Sequence, residues 1–280
     1  MTDIDVGRFG IWRSWQQTSP EFAREAEALG YGTIWLGFSP GADLGGAERL
    51  LAATDRIVIA TGIVNMWATA ADDVAAAYRR ITEAQPGRFL LGVGIGHPEA
   101  TREYQSPYDT IVSYLDRLDA GGVPVRGRVL AALGPKVLRL AAERTRGAHP
   151  YLVTPEHSRR AREILGPDAL LAPEQKVVVD EDAARARATA RAKIADPYLK
   201  LGNYTNNLRR LGWTDADIAD DGSDALIDEL APHGDAATVA AAVTRHLDAG
   251  ANHVALQPLT TNDTDPLPAL RALAQALDLP

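Results

Sequence analysis

The segment Gly92-Val-Gly94-Ile-Gly96-His97 holds the first residues whose type and spacing suggest chemistry. Side chains alternate along a strand, so the three glycines share one face. A face without side chains admits a second backbone or a flat ring at close range. It also saves space inside a crowded barrel, and both readings stay open. The pattern is G-x-G-x-G with Pro98 close behind and no helix opening directly on it, so it is not a dinucleotide fingerprint. His97 follows where the strand ends. An imidazole there can move a proton near neutral pH or orient a ligand; an ordinary loop histidine is the alternative.

A second group surrounds Gly62, which interrupts the β-branched run Ile57–Val64 near its end and suggests a bulge or strained turn. Asn65 and Trp67 follow it, as Trp12 and Trp15 follow the first apolar run. Three tryptophans near one rim could wall an aromatic cofactor, or simply pack loops onto the barrel. The run Ala131-Ala-Leu133-Gly134-Pro135-Lys136 passes straight into a helix, where free N–H groups and the helix dipole suit an anion. Lys136 could add charge. His149, Tyr151, Glu156 and His157 lie near another strand end, but no H-x-x-x-H pair or compact carboxylate set accompanies them, so no metal is expected. His253 opens a strand at the opposite end and reads as structural; His246 lies on a helix and reads as a surface residue. A G-x-S-x-G elbow and a P-loop are both absent from the sequence.

The elements that must position these residues are eight short apolar runs. They are Arg8–Trp12, Thr33–Gly37, Ile57–Val64, Phe89–Ile95, Val129–Leu133, His149–Val153, Gln175–Val179 and His253–Gln257. Their near-continuous Val/Ile/Leu character suits parallel strands buried on both faces. Helices with readable ends intervene. Ser19-Pro20, Gly134-Pro135, Thr154-Pro155 and Asp235 open helices, and Gly30, Gly166 and Gly250 close three of these. Strand–helix alternation repeated eight times argues for a closed (β/α)8 TIM barrel; an open doubly wound sheet is the alternative. The stretch from Asp182 to His233 exceeds one crossover and reads as an all-helical insertion between strands seven and eight of a single domain spanning 1–280.

Composition sets further bounds. Acidic residues exceed basic ones, 37 to 29, for a net charge of −8, which disfavours nucleic-acid binding. With no cysteine there is no disulfide, thiolate metal site or cysteine nucleophile. Met1–Gly10 lacks a signal-peptide core, and no apolar run reaches about 18 residues, so a cytoplasmic location without a membrane span is expected.

On these residues the chain resembles the luciferase-like monooxygenase superfamily, in particular a short actinobacterial F420-dependent branch. The resemblance covers almost the whole length. It rests on Glu27-Ala-Leu-Gly-Tyr-Gly-Thr-Ile-Trp-Leu-Gly37, Ala60-Thr-Gly-Ile-Val-Asn-Met-Trp67, Pro86-Gly-Arg-Phe-Leu-Leu-Gly-Val-Gly94, Leu133-Gly-Pro-Lys-Val-Leu-Arg-Leu-Ala-Ala-Glu143 and Asp248-Ala-Gly-Ala-Asn-His-Val254. Ala148-His-Pro-Tyr151 and Asn203-Tyr-Thr-Asn-Asn-Leu-Arg-Arg-Leu-Gly212 add to it.

The resemblance implies a barrel mouth holding a deazaflavin (coenzyme F420) or FMN ring. Gly62, Ile63, Gly94, Gly96 and His97 would contact the ring, with Gly62-Ile63 as a non-prolyl cis peptide. The phosphate would lie by Ala132, Leu133, Gly134 and Pro135. Trp12, Ser39, Trp67 and Tyr151 would border the substrate pocket. Many members carry Glu where His97 stands, and His or Asp where this chain has Phe38-Ser39. The implied reaction is hydride transfer between deazaflavin C5 and a small-molecule substrate, with His97 catalytic, in a homodimer. A two-component FMN-dependent monooxygenase and a non-catalytic flavin-binding protein are the alternatives. Asn203, Tyr204, Asn206 and Asn207 in the insertion read as structural.

Overall fold

The computed structural model describes residues 4–96 and 106–280. Its strands are β1 (Phe9–Ser14), β2 (Thr33–Gly37), β3 (Val58–Gly62), β4 (Val64–Asn65), β5 (Phe89–Gly94), β6 (Arg128–Leu130), β7 (Gly147–Ala148), β8 (Leu170–Leu171), β9 (Glu174–Val179), β10 (His233–Gly234) and β11 (Val254–Pro258). Between and after them run α1 (Pro20–Ala28), α2 (Gly45–Ala53), α3 (Ala71–Ala84), α4 (Pro107–Ala120), α5 (Pro135–Arg144) and α6 (Pro155–Leu165). There follow α7 (Ala183–Ile194), α8 (Gly202–Leu211), α9 (Asp215–Ile218), α10 (Asp224–Leu230), α11 (Ala236–Asp248) and α12 (Leu267–Ala276).

All strand pairs are parallel, and the order β9-β11-β1-β2-β3-β5-β6-β7-β8 follows the chain. Only Ala172-Pro173 separates β8 from β9, and they act as one stave. Ala172 N–H donates to Ala148 O at 2.9 Å on one side, and Ala255 N–H to Pro173 O at 2.8 Å on the other. The sheet therefore closes on itself with eight staves, which is the TIM barrel.

The caps hold as read: Ser19, Thr154 and Asp235 accept hydrogen bonds from the N–H groups of Phe22, His157 and Thr238. Two staves differ from the sequence expectation. The sixth is Gly147–Ala148, not His149–Val153, because Pro150 has no N–H to continue a ladder. The seventh starts at Leu170, five residues before Gln175; its two-residue first half between Pro167 and Pro173 carries too short a pattern to read. The stretch 182–233 is not wholly helical. It contains α7 to α10 and ends in β10, which extends β9 at Val178 and Val179. These helices enclose a core of their own around Ala186, Ile194, Tyr204, Leu208, Leu226 and Leu230. Among the described residues no helix is long and apolar enough to cross a membrane.

Inside the barrel the packing exchanges glycines for rings. Trp12, Trp35, Val58, Ala60, Leu90, Val129 and Ala255 form the interior cluster. A Cβ on Gly37 would lie 2.0 Å from Trp12 Cζ2, and one on Gly10 would lie 2.7 Å from His253 Cε1. Trp35 stacks on His149 at 4.0 Å between centroids, and its N–H donates to His253 Nε2 at 3.0 Å. His253 in turn donates from Nδ1 to Gly7 O at 2.8 Å, so it is structural as read. His246 is not a surface residue. It is fully buried, accepts from the Ser158 hydroxyl at 2.7 Å and donates to Gln175 Oε1 at 2.6 Å, tying α6 and α11 to β9.

This packing predicts that Gly37→Ala destabilises the fold by about 1–3 kcal/mol through overpacking against Trp12. The double variant Gly37→Ala/Trp12→Leu should recover part of that loss in urea unfolding; additive losses would show that Trp12 does not occupy the glycine's space.

Candidate functional site

The residues at the C-terminal mouth fall into two groups, and Trp12 contacts both. On the first side lie β3 to β6. The Gly62–Ile63 peptide is cis, as the resemblance implied. Trp12 Nε1 donates to Gly62 O at 3.2 Å. Ile63 and Ala131 cover Gly94: a Cβ there would come within 2.8 Å of Ala131 Cβ and 3.0 Å of Ile63 Cγ1. Gly92 is likewise filled, by the Thr61 carbonyl. The glycine face of β5 is therefore occupied by neighbouring protein atoms, and Gly94 cannot itself touch a ring. What stays half-exposed is a strip of Gly62, Ile63, Asn65, Trp67, Gly96 and Ala131. Asn65 Oδ1 accepts from Trp67 N–H at 2.9 Å, and its amide packs against Gly96, whose φ of +66° favours glycine. His97 lies outside the described residues.

The strip runs toward the turn before α5. Ala132 is buried in the outer core and offers a ligand no side chain, whereas Leu133 and Gly134 are half-exposed and Pro135 is exposed at the first helical position. Gly134 is the N-cap of α5 without a side-chain cap, and a Cβ built on it would meet none of the described residues within 4 Å. That leaves open space in front of a helix N-terminus, where backbone N–H groups and the dipole favour an anion. His157, buried behind the turn, donates from Nε2 to Leu133 O at 3.1 Å and holds that carbonyl inward. Lys136 does not face the open space as a free charge; its ammonium sits 3.6 Å from the Tyr108 ring centroid. Glu156 pairs with Arg159 and Arg160, so it and His157 share no ligand site.

The second side joins Tyr151 and Ser39, which the sequence reading named, to Glu174, Lys176 and Gln257, which it did not. Tyr151, half-buried and 5.2 Å from Trp12 between ring centroids, donates to Gln257 Oε1 at 3.1 Å and shares a 3.1 Å hydrogen bond with the Tyr198 hydroxyl. Lys176 Nζ lies 3.8 Å over the Tyr151 ring and 3.1 Å from Glu174 Oε1. Glu174 Oε2 accepts from Leu152 N–H at 3.0 Å. Both charged residues are buried inside the barrel. Burial pushes the Glu174 carboxyl up and the Lys176 ammonium down, and each opposes the other's shift. Burial, then the nearby Glu174, pushes the Tyr151 phenol well above its usual range. The available signal was a Glu-x-Lys pair inside a strand otherwise fit for burial. Phe38 and Ser39 take the positions after β2. Both have positive φ, 58° and 52°, and Phe38 is 60% exposed while its ring meets Trp12 edge-on at 5.3 Å. Ser39 is exposed. Trp15 packs against the outer core, so only Trp12 and Trp67 of the three tryptophans border the mouth. In the insertion Asn207 is buried with Oδ1 accepting from Arg210, and Asn206 accepts from Arg209, which are structural roles.

No family model and no curated protein matches the chain. Solved structures do match. An F420-dependent secondary alcohol dehydrogenase bound to an F420–acetone adduct aligns with TM-score 0.74 and 16% identity over 96% of this chain and 98% of that one. The F420-dependent tetrahydromethanopterin reductase of Methanopyrus kandleri aligns at 0.69 and 15%, over 99% of each chain. The oxygenating constituent of 3,6-diketocamphane monooxygenase of Pseudomonas putida, a type II Baeyer–Villiger enzyme in complex with FMN, aligns at 0.68 and 14%, over 97% of each. At such identities the likeness is one of fold: the chain shares the TIM barrel of these proteins.

His149 offers a test of the mouth's floor. It donates from Nδ1 to Ala172 O at 2.6 Å, and its buried Nε2, 3.1 Å from where a Gly62 Cβ would stand, has no partner. Burial pushes its pKa down to about 3. Between that value and the ordinary 6.5 or so of an unfolded histidine, the unfolded chain binds a proton that the native ring does not. Stability contributed by the neutral ring is thus complete above that window and lost as pH falls through it. His149→Asn keeps a donor for Ala172 O without titrating there. Its stability relative to wild type should rise by about 1.4 kcal/mol per pH unit on acidification below pH 6; parallel curves would show that His149 is not buried in its neutral form.

Proposed function

We propose that the chain is an F420-dependent oxidoreductase whose deazaflavin ring lies on the half-exposed strip at the ends of β3 to β6. The observation that carries this reading is the open, uncapped N-terminus of α5 at Gly134, joined to an apolar ledge of Ile63 and Ala131. The pairing of an apolar ledge with an anion site fits a planar heterocycle that carries an acidic tail. The resemblance of the sequence motifs favours F420, and two of the structural relatives use that cofactor.

When bound, the deazaflavin supplies hydride chemistry at C5, which belongs to the cofactor and not to the protein. The chain's own residues position and screen. Trp12 packs in the barrel interior with Tyr151 5.2 Å away between centroids, so the ring would rest above Ile63 and Ala131 on one flank of the mouth and not within the barrel. The backbone N–H groups of Leu133 and Gly134 at this turn would hold the phosphate, steadied by His157 on the Leu133 carbonyl; Pro135 has no N–H to offer. Trp67 and Tyr151 would border the substrate and exclude water, which strengthens polar contacts at the reacting atoms. His97 follows Gly96 directly in the sequence, and we assign it proton transfer to or from the substrate. FMN is the second reading, favoured by the fold shared with the FMN complex of the camphane monooxygenase constituent.

Titrating the protein with oxidised F420 and with FMN, followed by cofactor fluorescence, tests the proposal. Saturable F420 binding is expected. FMN binding alone, with oxygen uptake on FMNH2, would replace the first reading by the second, and affinity for neither would overturn both. Gly134→Asp places a carboxylate in the open space at the turn without steric cost. It should weaken cofactor affinity at least about tenfold, or about 1.4 kcal/mol, at an unchanged melting temperature. His97→Ala should lose turnover with cofactor affinity retained; unaltered turnover would remove His97 from the mechanism, and a chain that binds cofactor without any turnover would be a binding protein.

A further inference from the structure

A second opening borders Trp12. Between the ends of β1, β2 and β11, a cavity of about 240 Å3 is walled by the rings of Trp12 and Phe38 and by the polar side chains of Ser14 and Gln257. Gln257 is the residue that accepts from Tyr151, so the cavity touches the buried tyrosine network of the barrel. Its charged lining is unequal. Lys193 is neutralised by Asp263 at 2.8 Å. Arg13 has no such partner: among the described residues no carboxylate closes an ion pair with it, and Asp265 acts on it only at a distance.

Arg13 is half-buried, with its Cζ 4.7 Å from the Phe22 centroid. Among the described residues its one hydrogen bond runs from Nε to Gln17 O at 3.0 Å. A guanidinium carries five N–H donors in a rigid fork. Arg13 lines the cavity, and among the described residues no carboxylate pairs with it. Its Nη groups can offer a planar oxyanion two parallel, charge-assisted hydrogen bonds. Beside it, Phe38 is held half out in solvent by a left-handed backbone that an L-residue rarely adopts. An exposed ring next to Trp12 gains contact when an apolar body slides beneath it. The volume suits a ligand of only a few carbons, below the range of drug-sized pockets.

We propose that this cavity is a subsite for a small organic anion, with its carboxylate or phosphate forked by Arg13 and its short apolar body between Trp12 and Phe38. The inference deepens the oxidoreductase reading by naming a substrate class, and it rests on that reading only for the identification of the ligand as substrate.

The test uses the purified chain without cofactor. Its melting temperature is followed against rising butyrate in one arm and inorganic phosphate in the other, with chloride holding ionic strength constant. A ligand bound by the native state alone raises the melting temperature with its own saturation curve. Saturation in the butyrate arm identifies a carboxylate ligand, and in the phosphate arm a phosphate ester. Arg13→Met should weaken the effective anion at least tenfold, while Arg126→Met, at the other end of the barrel, changes it less than twofold. Should Arg13→Met fail to fold, Arg13→Lys keeps the charge but not the fork and should still weaken binding several-fold. No saturable rise in either arm, or equal rises in wild type and the Arg13 variants, overturns the subsite. Cofactor titration of the same preparations keeps the two readings apart: F420 or FMN binding without anion binding sinks the subsite alone, and the reverse sinks the cofactor proposal alone.

Discussion

A closed barrel of eight parallel staves encloses an interior too narrow to be left empty and too small for a large side chain at every inward position. In this chain the difficulty is met by inequality. Gly10, Gly37, Gly62 and Gly92 face inward with no side chain, and a few large groups spread into the space they release. Trp12 lies over Gly37, His253 over Gly10, and the Thr61 carbonyl against Gly92. The arrangement makes the interior highly specified, because each ring is fitted to a missing Cβ on a neighbouring stave. It also forces polar closure, since buried imidazoles and indoles need partners. Trp35, His253 and Gly7 O satisfy one another in sequence, and His149 is pinned from one nitrogen by Ala172 O.

This filling determines where a ligand could go. With Trp12 and Tyr151 packed together in the interior, the described mouth has two flanks. Among the described residues the flank at β3 to β6 is apolar, leads to an uncapped helix, and receives little side-chain charge. The flank at β1, β2 and β11 holds the unpaired guanidinium and the exposed phenyl ring. Trp12 touches both, donating to Gly62 O on one side and lining the cavity on the other.

The barrel was legible because its evidence is periodic and local. Thr33–Gly37 and the helix openings at Ser19, Gly134, Thr154 and Asp235 follow from short-range sterics and capping, which a sequence states directly. The sixth and seventh staves were misplaced where two-residue strands and prolines left no period to count. The helix opening at Gly134 was readable from backbone chemistry alone. Phe38, Lys176, Glu174, Gln257 and Arg13 were not, because their meaning lies in distant partners: Phe38 in Trp12, Lys176 in Tyr151, Gln257 in the same tyrosine. The glycine run of β5 misled in the opposite direction. Its face was visible in the sequence, but what occupied that face was Ile63, Ala131 and Thr61, which only tertiary packing decides. His246 failed for the same reason, its burial being set by β9 and α6 and not by its own helix.

The buried Glu174–Lys176 pair remains the least economical feature of the barrel, since removing two charges from water costs more than an isolated pair commonly returns. Its geometry suggests what offsets that cost. Each charge has a second partner: the Leu152 N–H for the carboxylate, and the faces of Tyr151 and Tyr198 for the ammonium. These partners come from the loop after β7 and from the helical insertion, two segments that no backbone ladder holds together at this point. A hydrophobic replacement could fill the same volume, but it would leave Tyr151 free to rotate, and with it the hydroxyl that reaches Gln257 at the cavity wall. The pair is thus best understood as fixing the orientation of one phenol through electrostatics, which links the insertion's position to the shape of the mouth.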